Sequence, residues 1–124
     1  MKLVATILLL LLYHPLQGQD LSTYQWKNRL VILVGDTTDV KLKEQKSVLQ
    51  NRKTELVERD ILILPIANTE NFQIDLEANF KGLLLIGKDG GVKLKRAFPV
   101  AMTELFEIID NMPMRKAEIK RDKG

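Results

Sequence analysis

Three short runs with almost no polar interruption constrain this chain more than any other feature: Arg29 to Val34 (RLVILV), Asp60 to Ile66 (DILILPI) and Gly82 to Ile86 (GLLLI). Each is long enough for a strand and too short for a helix. The first, nearly continuous and rich in β-branched and aliphatic residues, suits a strand buried on both faces, as in a parallel sheet. The rest of the chain must supply what covers that sheet.

Between the first two runs, Gly35-Asp36-Thr37-Thr38-Asp39 breaks the strand. Thr37, Thr38 or Asp39 can cap a following helix by accepting from its free N–H groups. Val40 to about Glu58 reads as that helix, with a thin stripe of Leu42, Val48, Leu49 and Leu56 and a weak point at Asn51 to Thr54. So narrow a stripe places it on the outside of the sheet. Strand, helix and strand at this spacing predict a parallel pair with a right-handed crossover. Pro65 cannot donate to a ladder and marks a strand end or an edge. Ala67 to Asn79 is polar and weakly patterned, and reads as a long loop.

After the third run, Gly87-Lys88-Asp89-Gly90-Gly91 leads into the alternating Val92-Lys93-Leu94-Lys95. Asp-Gly between strand-like segments signals a hairpin, because the turn needs a positive φ. Pro99 precedes a last helix, Val100 to Met112, with Ala101, Leu105, Ile108 and Met112 on one face, and Pro113 ends it. Met114 to Gly124 is charged, and reads as a solvated tail or a short added helix. The order β-α-β, loop, β-β-α is the minimal layout of a thioredoxin-like fold, an α/β three-layer sandwich. The expected organisation is a lead-in at 19–28, the domain at 29–113 and a charged tail at 114–124.

The first eighteen residues read differently. Met1 and Lys2 are followed by the apolar Leu3 to Leu12, then Pro15 and Gly18. This is the layout of a cleavable signal peptide at 1–18, and the run is shorter than the ~20 residues a membrane span needs. The expectation is export, to the periplasm or beyond, with no transmembrane segment after cleavage. The chain has no cysteine, and its one histidine, His14, lies in this leader. Thiol nucleophiles, disulfides, imidazole relays and imidazole metal sites are thereby excluded. Of 19 basic residues only Lys2 precedes Gly18, against 16 acidic ones. That balance is too even for a nucleic-acid binder.

Trp26 and Arg29 before the first strand, Gln45 in the first helix, Glu58-Arg59-Asp60 at the second strand and Gly87-Lys88-Asp89-Gly90-Gly91-Val92-Lys93 in the hairpin form an ordered set. Ile109-Asp110, Met112-Pro113-Met114-Arg115 and Glu118 complete it. Over about residues 24 to 118 the chain resembles P-DUDES, a thioredoxin-like domain without known activity. It is found in small exported bacterial proteins, and in vertebrate sushi-repeat-containing proteins and coiled-coil-domain-containing protein 80. The resemblance implies a relative of thioredoxins and peroxiredoxins that lacks the catalytic cysteines. The vertebrate relatives are associated with extracellular matrix and adhesion.

No catalytic, cofactor-binding or metal-binding residue is assigned, and no cofactor is expected. Gly82-x-x-x-x-Gly87-Lys88-Asp89 nearly matches a phosphate loop. It lacks the Ser or Thr that would hold magnesium, and strand residues fill the place of the loop. Asp36 and Asp39 alone are thin support for a cation site. Lys88, Lys93, Lys95 and Arg96 read as solvated strand charges that protect a sheet edge. Glu58-Arg59-Asp60 reads as an ion-paired junction, in which a partly buried Arg59 needs Asp89, Asp110 or Glu118 as partner. Trp26 reads as a packing anchor near the sheet edge. Two functions are weighed: a non-catalytic module binding an extracytoplasmic protein or polymer, and an enzyme of unfamiliar chemistry using Asp36, Asp39, Glu58, Arg59, Lys88 and Asp89. The enzyme reading requires Asp36, Arg59 and Asp89 to converge in one pocket.

Overall fold

The computed structural model of the chain describes residues 21–66, 76, 77 and 79–123. The expected leader at 1–18 and most of the expected 67–79 loop lie outside the described residues.

The three apolar runs are strands: β1 (Arg29–Val34), β2 (Ile61–Ile66) and β3 (Gly82–Ile86), joined by β4 (Val92–Arg96). They form one sheet in the order β2-β1-β3-β4, with β1 parallel to β2 and antiparallel to β3, and β3 antiparallel to β4. The central strands β1 and β3 are buried at every residue, whereas the edge strands have exposed positions. This explains why the two purest apolar runs are the central ones. Along β1, successive side chains alternate between two cores. Val31 and Leu33, with Leu83 and Leu85, pack against the helices, and Leu30, Ile32 and Val34 pack with Leu84 and Ile86 under Leu21, Tyr24, Leu76 and Phe80. Each such leucine or isoleucine contributes about 1.5–3 kcal/mol by leaving water. The topology is that of a thioredoxin-like α/β sandwich.

The expected helix from Val40 to Glu58 is two helices, α1 (Val40–Gln50) and α2 (Lys53–Glu58), broken at the weak point near Asn51. Leu42 and Leu49 of α1 and Leu56 of α2 are buried against the sheet. The next helix, α3 (Met102–Asp110), begins later and ends earlier than its periodicity predicts. Pro113 does not end it. It stands first in another helix, α4 (Pro113–Lys123), a position whose N–H has no intrahelical partner in any case. The stretch from Met114 is therefore helix, and its Arg115 and Glu118 are buried, which corrects the reading of a solvated tail.

Three local features hold these elements in register. A Cβ on Gly82 would lie 2.3 Å from the carbonyl oxygen of Arg96, so only glycine lets β3 and β4 approach here. The hairpin turn is closed by Gly90 N–H to the Gly87 carbonyl at 3.0 Å and Gly87 N–H to the Gly91 carbonyl at 2.9 Å, with Gly90 at φ 87°. The first glycine of the near phosphate-loop pattern is thus a close-approach residue and the second part of a turn. In β2, Asp60 and Ile66 turn their carbonyls toward β1, accepting from Arg29 and Gly35. Alternate residues of a parallel strand face alternate sides, so the nitrogen of Pro65 faces the open edge and removes no ladder bond.

Candidate functional site

In a thioredoxin-like fold the chemistry belongs to the carboxyl end of β1, where a thiolate would sit at the start of α1. Here that place is occupied by Gly35 to Asp39. Asp39 caps α1, accepting from Lys41 N–H at 2.9 Å, and Asp36 accepts from Thr38 N–H at 3.0 Å. The Thr38 hydrogen bonds hold the exposed Asp36 carboxyl below its ordinary value. Thr37 and Thr38 are exposed. These are turn and capping roles: the Thr38 hydroxyl and N–H both serve the exposed Asp36 carboxylate.

At the other end of β1, about 20 Å away by strand rise, the structure gathers eight of the residues named in the sequence. Arg29, the first residue of β1, is fully buried. Its guanidinium donates to both carboxylate oxygens of Glu118 at 3.1 Å each and to the Arg59 carbonyl at 2.9 Å. Lys88, from the hairpin, is buried and is not the solvated strand charge expected: it donates to Glu118 and to Asp60, both at 2.8 Å. Asp60 reaches it from the tight turn between α2 and β2, at φ 54°, a left-handed conformation that aspartate tolerates better than most residues. Arg59 grips Asp110 through Nε at 3.0 Å and Nη2 at 2.8 Å, and its guanidinium lies 4.3 Å from the centre of the Phe106 ring. Arg115 connects the two halves, pairing with Asp110 at 3.2 Å, Glu58 at 3.3 Å and Glu118 at 3.6 Å.

Arg29, Arg59, Lys88 and Arg115 thus stand against Glu58, Asp60, Asp110 and Glu118, a network without net charge. Burial alone would raise the Glu118 carboxyl, but hydrogen bonds from Arg29 and Lys88 outweigh it and hold the group below its ordinary value. Asp110 behaves the same way, with burial overcome by Arg59 and Arg115. Of the three partners expected for Arg59, the structure selects Asp110. Asp110 stood in the motif set and among the expected partners of Arg59 but not among the candidate site residues, and nothing in the sequence pattern set Phe106 apart. Their signal was their place on α3 beside the Asp110-to-Arg115 motif.

The remaining motif residues support this end of the sheet or lie apart from it. Gly87, Asp89, Gly90 and Lys93 build the hairpin that carries Lys88. Asp89 accepts from Gly91 N–H at 2.9 Å and from Lys93 at 2.8 Å, and the Lys93 bond is the main reason its carboxyl sits below its ordinary value. Trp26 donates its backbone N–H to the Lys88 carbonyl at 2.6 Å from a left-handed φ of 69°. Its side chain is 63% exposed, so it is not the packing anchor expected. Gln45 stands apart, buried under the helices. Both ends of its amide bond the Val100 backbone, at 3.1 and 2.6 Å, and fix the approach to α3.

Asp36, Arg59 and Asp89 do not converge. Asp89 lines a cleft of about 250 Å³ with Tyr24, Gln25, Asn28, Leu30 and Ile86. Arg59 is engaged with Asp110, and Asp36 is at the far end of β1. Among the described residues no group of three or more His, Cys, Asp or Glu is placed to hold a metal ion, and no helix is long and apolar enough to cross a membrane.

Fold and site together define a thioredoxin-like α/β domain whose redox position carries no thiol and whose buried charged residues, Arg29, Lys88, Arg115 and Glu118, are collected at the opposite end of the sheet. The chain belongs to the domain-of-unknown-function family DUF4174, whose model matches residues 20–118. No curated protein and no solved structure matches it.

Proposed function

We propose that this chain is an exported, non-catalytic interaction module, a thioredoxin-like scaffold that recognises a protein or polymer outside the cytoplasm. The observation that carries the reading is the balance of charge. Every cation of the buried network is held by a carboxylate, and the carboxylates at the redox position are held by backbone N–H groups. A catalytic group needs a reactive lone pair, or a proton it can exchange with a substrate. Groups held in mutual pairs have neither to spare while the pairs stand. Support for export comes from the layered N-terminus, Met1 to Gly18. Support for P-DUDES kinship comes from the ordered motif set, and its matrix-associated vertebrate members fit a binding role.

The test uses the chain from Gln19 onward, immobilised and exposed to the native envelope or extracellular fraction. The reading expects a retained partner, together with no disulfide reduction of insulin and no thiol-dependent peroxidase activity. Turnover in either assay, or no partner in either fraction, overturns it.

A further inference from the structure

The first three helices are attached through apolar side chains: Leu42 and Leu49 in α1, Leu56 in α2, and Met102, Leu105, Phe106 and Ile109 in α3. α4 is attached differently. Its buried residues are Arg115 and Glu118, with Ile119 half-buried, and it is joined to α3 by Asn111 and Met112 alone. It docks by charge.

The surface beneath it is built without it. Arg29 is anchored in the central strand and tied to the Arg59 carbonyl at 2.9 Å. Lys88 is held by Asp60 at 2.8 Å, and the Lys88 carbonyl by Trp26 N–H. Arg29 and Lys88 against Asp60 leave one positive charge unmatched, which a single carboxylate neutralises. The guanidinium fork meets both Glu118 oxygens and the ammonium meets one of them from the side, an arrangement that selects a planar carboxylate. Arg29 Nε is buried and has no hydrogen-bond partner among the described residues, one further donor at this site that α4 leaves unused.

We propose that Arg29 and Lys88 form a carboxylate-binding site occupied in cis by Glu118, and that α4 is a detachable plug which a carboxylate ligand displaces. The ligand is either a small free carboxylate or an acidic side chain of a peptide. The inference rests on the interaction-module reading for its biological meaning, naming the ligand class, but the two fail separately. Loss of the site leaves a partner to be captured elsewhere on the surface, and failure to capture a partner leaves the site's affinity measurable.

The experiment uses full-chain Glu118→Ala at pH 7. This variant is expected to melt below the parent. Sodium acetate is expected to raise its melting temperature saturably, by at least about 4 °C over sodium chloride of equal ionic strength. A peptide of residues 113–123 supplied in trans forms the second arm. A gain from acetate assigns a site that a small carboxylate fills, and a gain from the peptide alone assigns a carboxylate presented on a peptide side chain. Adding Lys88→Met to Glu118→Ala is expected to remove either gain. No gain over chloride from acetate or peptide, or a gain untouched by Lys88→Met, overturns the site. Hydrogen exchange of the unsubstituted chain reads displacement directly and does not depend on the variant folding. The α4 amides are expected to exchange faster in acetate than in chloride while those of β1 do not, and equal exchange in the two salts overturns the plug.

Discussion

At the carboxyl end of β1, Asp36 and Asp39 sit in an open loop and each is satisfied by a backbone N–H two residues further on. At the amino end, Arg29 is satisfied only by groups 30 and 89 residues away, Arg59 and Glu118. The first end is local chemistry that any short turn can make. The second exists only when α2, α3, α4, β1 and the hairpin are all in place, so it reports on the whole fold. A thioredoxin-like domain ordinarily concentrates its demanding groups at the first end. Here the order is inverted, and the consequences for stability should be inverted with it.

The sharpest way to break this contrast is Arg29→Met. It leaves Glu118 buried with one strong partner fewer, and removing one member of a buried pair costs about 3–5 kcal/mol. Urea unfolding should register that loss, and a change under about 1 kcal/mol would mean that the network is ornamental. The double variant Arg29→Met, Glu118→Leu should recover much of it, because apolar replacement of a buried pair is often neutral.

Acid tests the same end without mutation. Glu118 and Asp110 are held below their ordinary values in the folded chain, so the unfolded chain binds protons first as pH falls. Their contribution is complete above the unfolded carboxylate values near pH 4 and is lost as pH drops through the lower folded values. Melting temperature followed from pH 6 downward should fall in that window, and more steeply for the parent than for the double variant. A shift of similar size in the two chains would place the acid sensitivity elsewhere.

Smaller effects refine the comparison. Gln45→Ala leaves the buried Val100 N–H without its acceptor and should cost about 1–3 kcal/mol by denaturant unfolding. Asp39→Ala removes a helix cap at the redox end and should cost about 1 kcal/mol. Asp36→Ala, at an exposed turn, should stay within about 0.5 kcal/mol of the parent, and a larger loss would show that this end is more than a loop.

Much of the sandwich was legible because hydrophobic runs and turn residues act locally. RLVILV announces a strand buried on both faces, GLLLI another strand, Pro65 a strand end or an edge, and Asp89-Gly90 the hairpin. What pattern reading missed has one cause, that the decisive contacts are polar and distant. α4 has no apolar stripe, so periodicity leaves a solvated tail and a short added helix equally open and does not show that Arg115 and Glu118 are buried. Pro113 looks like a stop because the same residue that cannot continue one helix is well suited to begin another. Trp26 looks like an anchor by composition, but its backbone N–H to Lys88 is what ties it to the hairpin, and its ring stays in water. The motif residues were recognisable as a set. Their convergence was not, because nothing in their spacing says that Arg29 meets Glu118 while Arg59 meets Asp110.

The placement of Pro65 carries a consequence for the behaviour of many copies together. ILILPI is the kind of strand that recruits its own likeness, since an open apolar edge templates fibrils. With its ring nitrogen turned outward, Pro65 leaves Ile61 and Ile63 as the β2 residues that can offer an edge N–H. One substitution, Pro65→Val, would extend that row without disturbing the ladder to β1. At high concentration Pro65→Val is therefore expected to associate through this edge more readily than the parent, as light scattering would show.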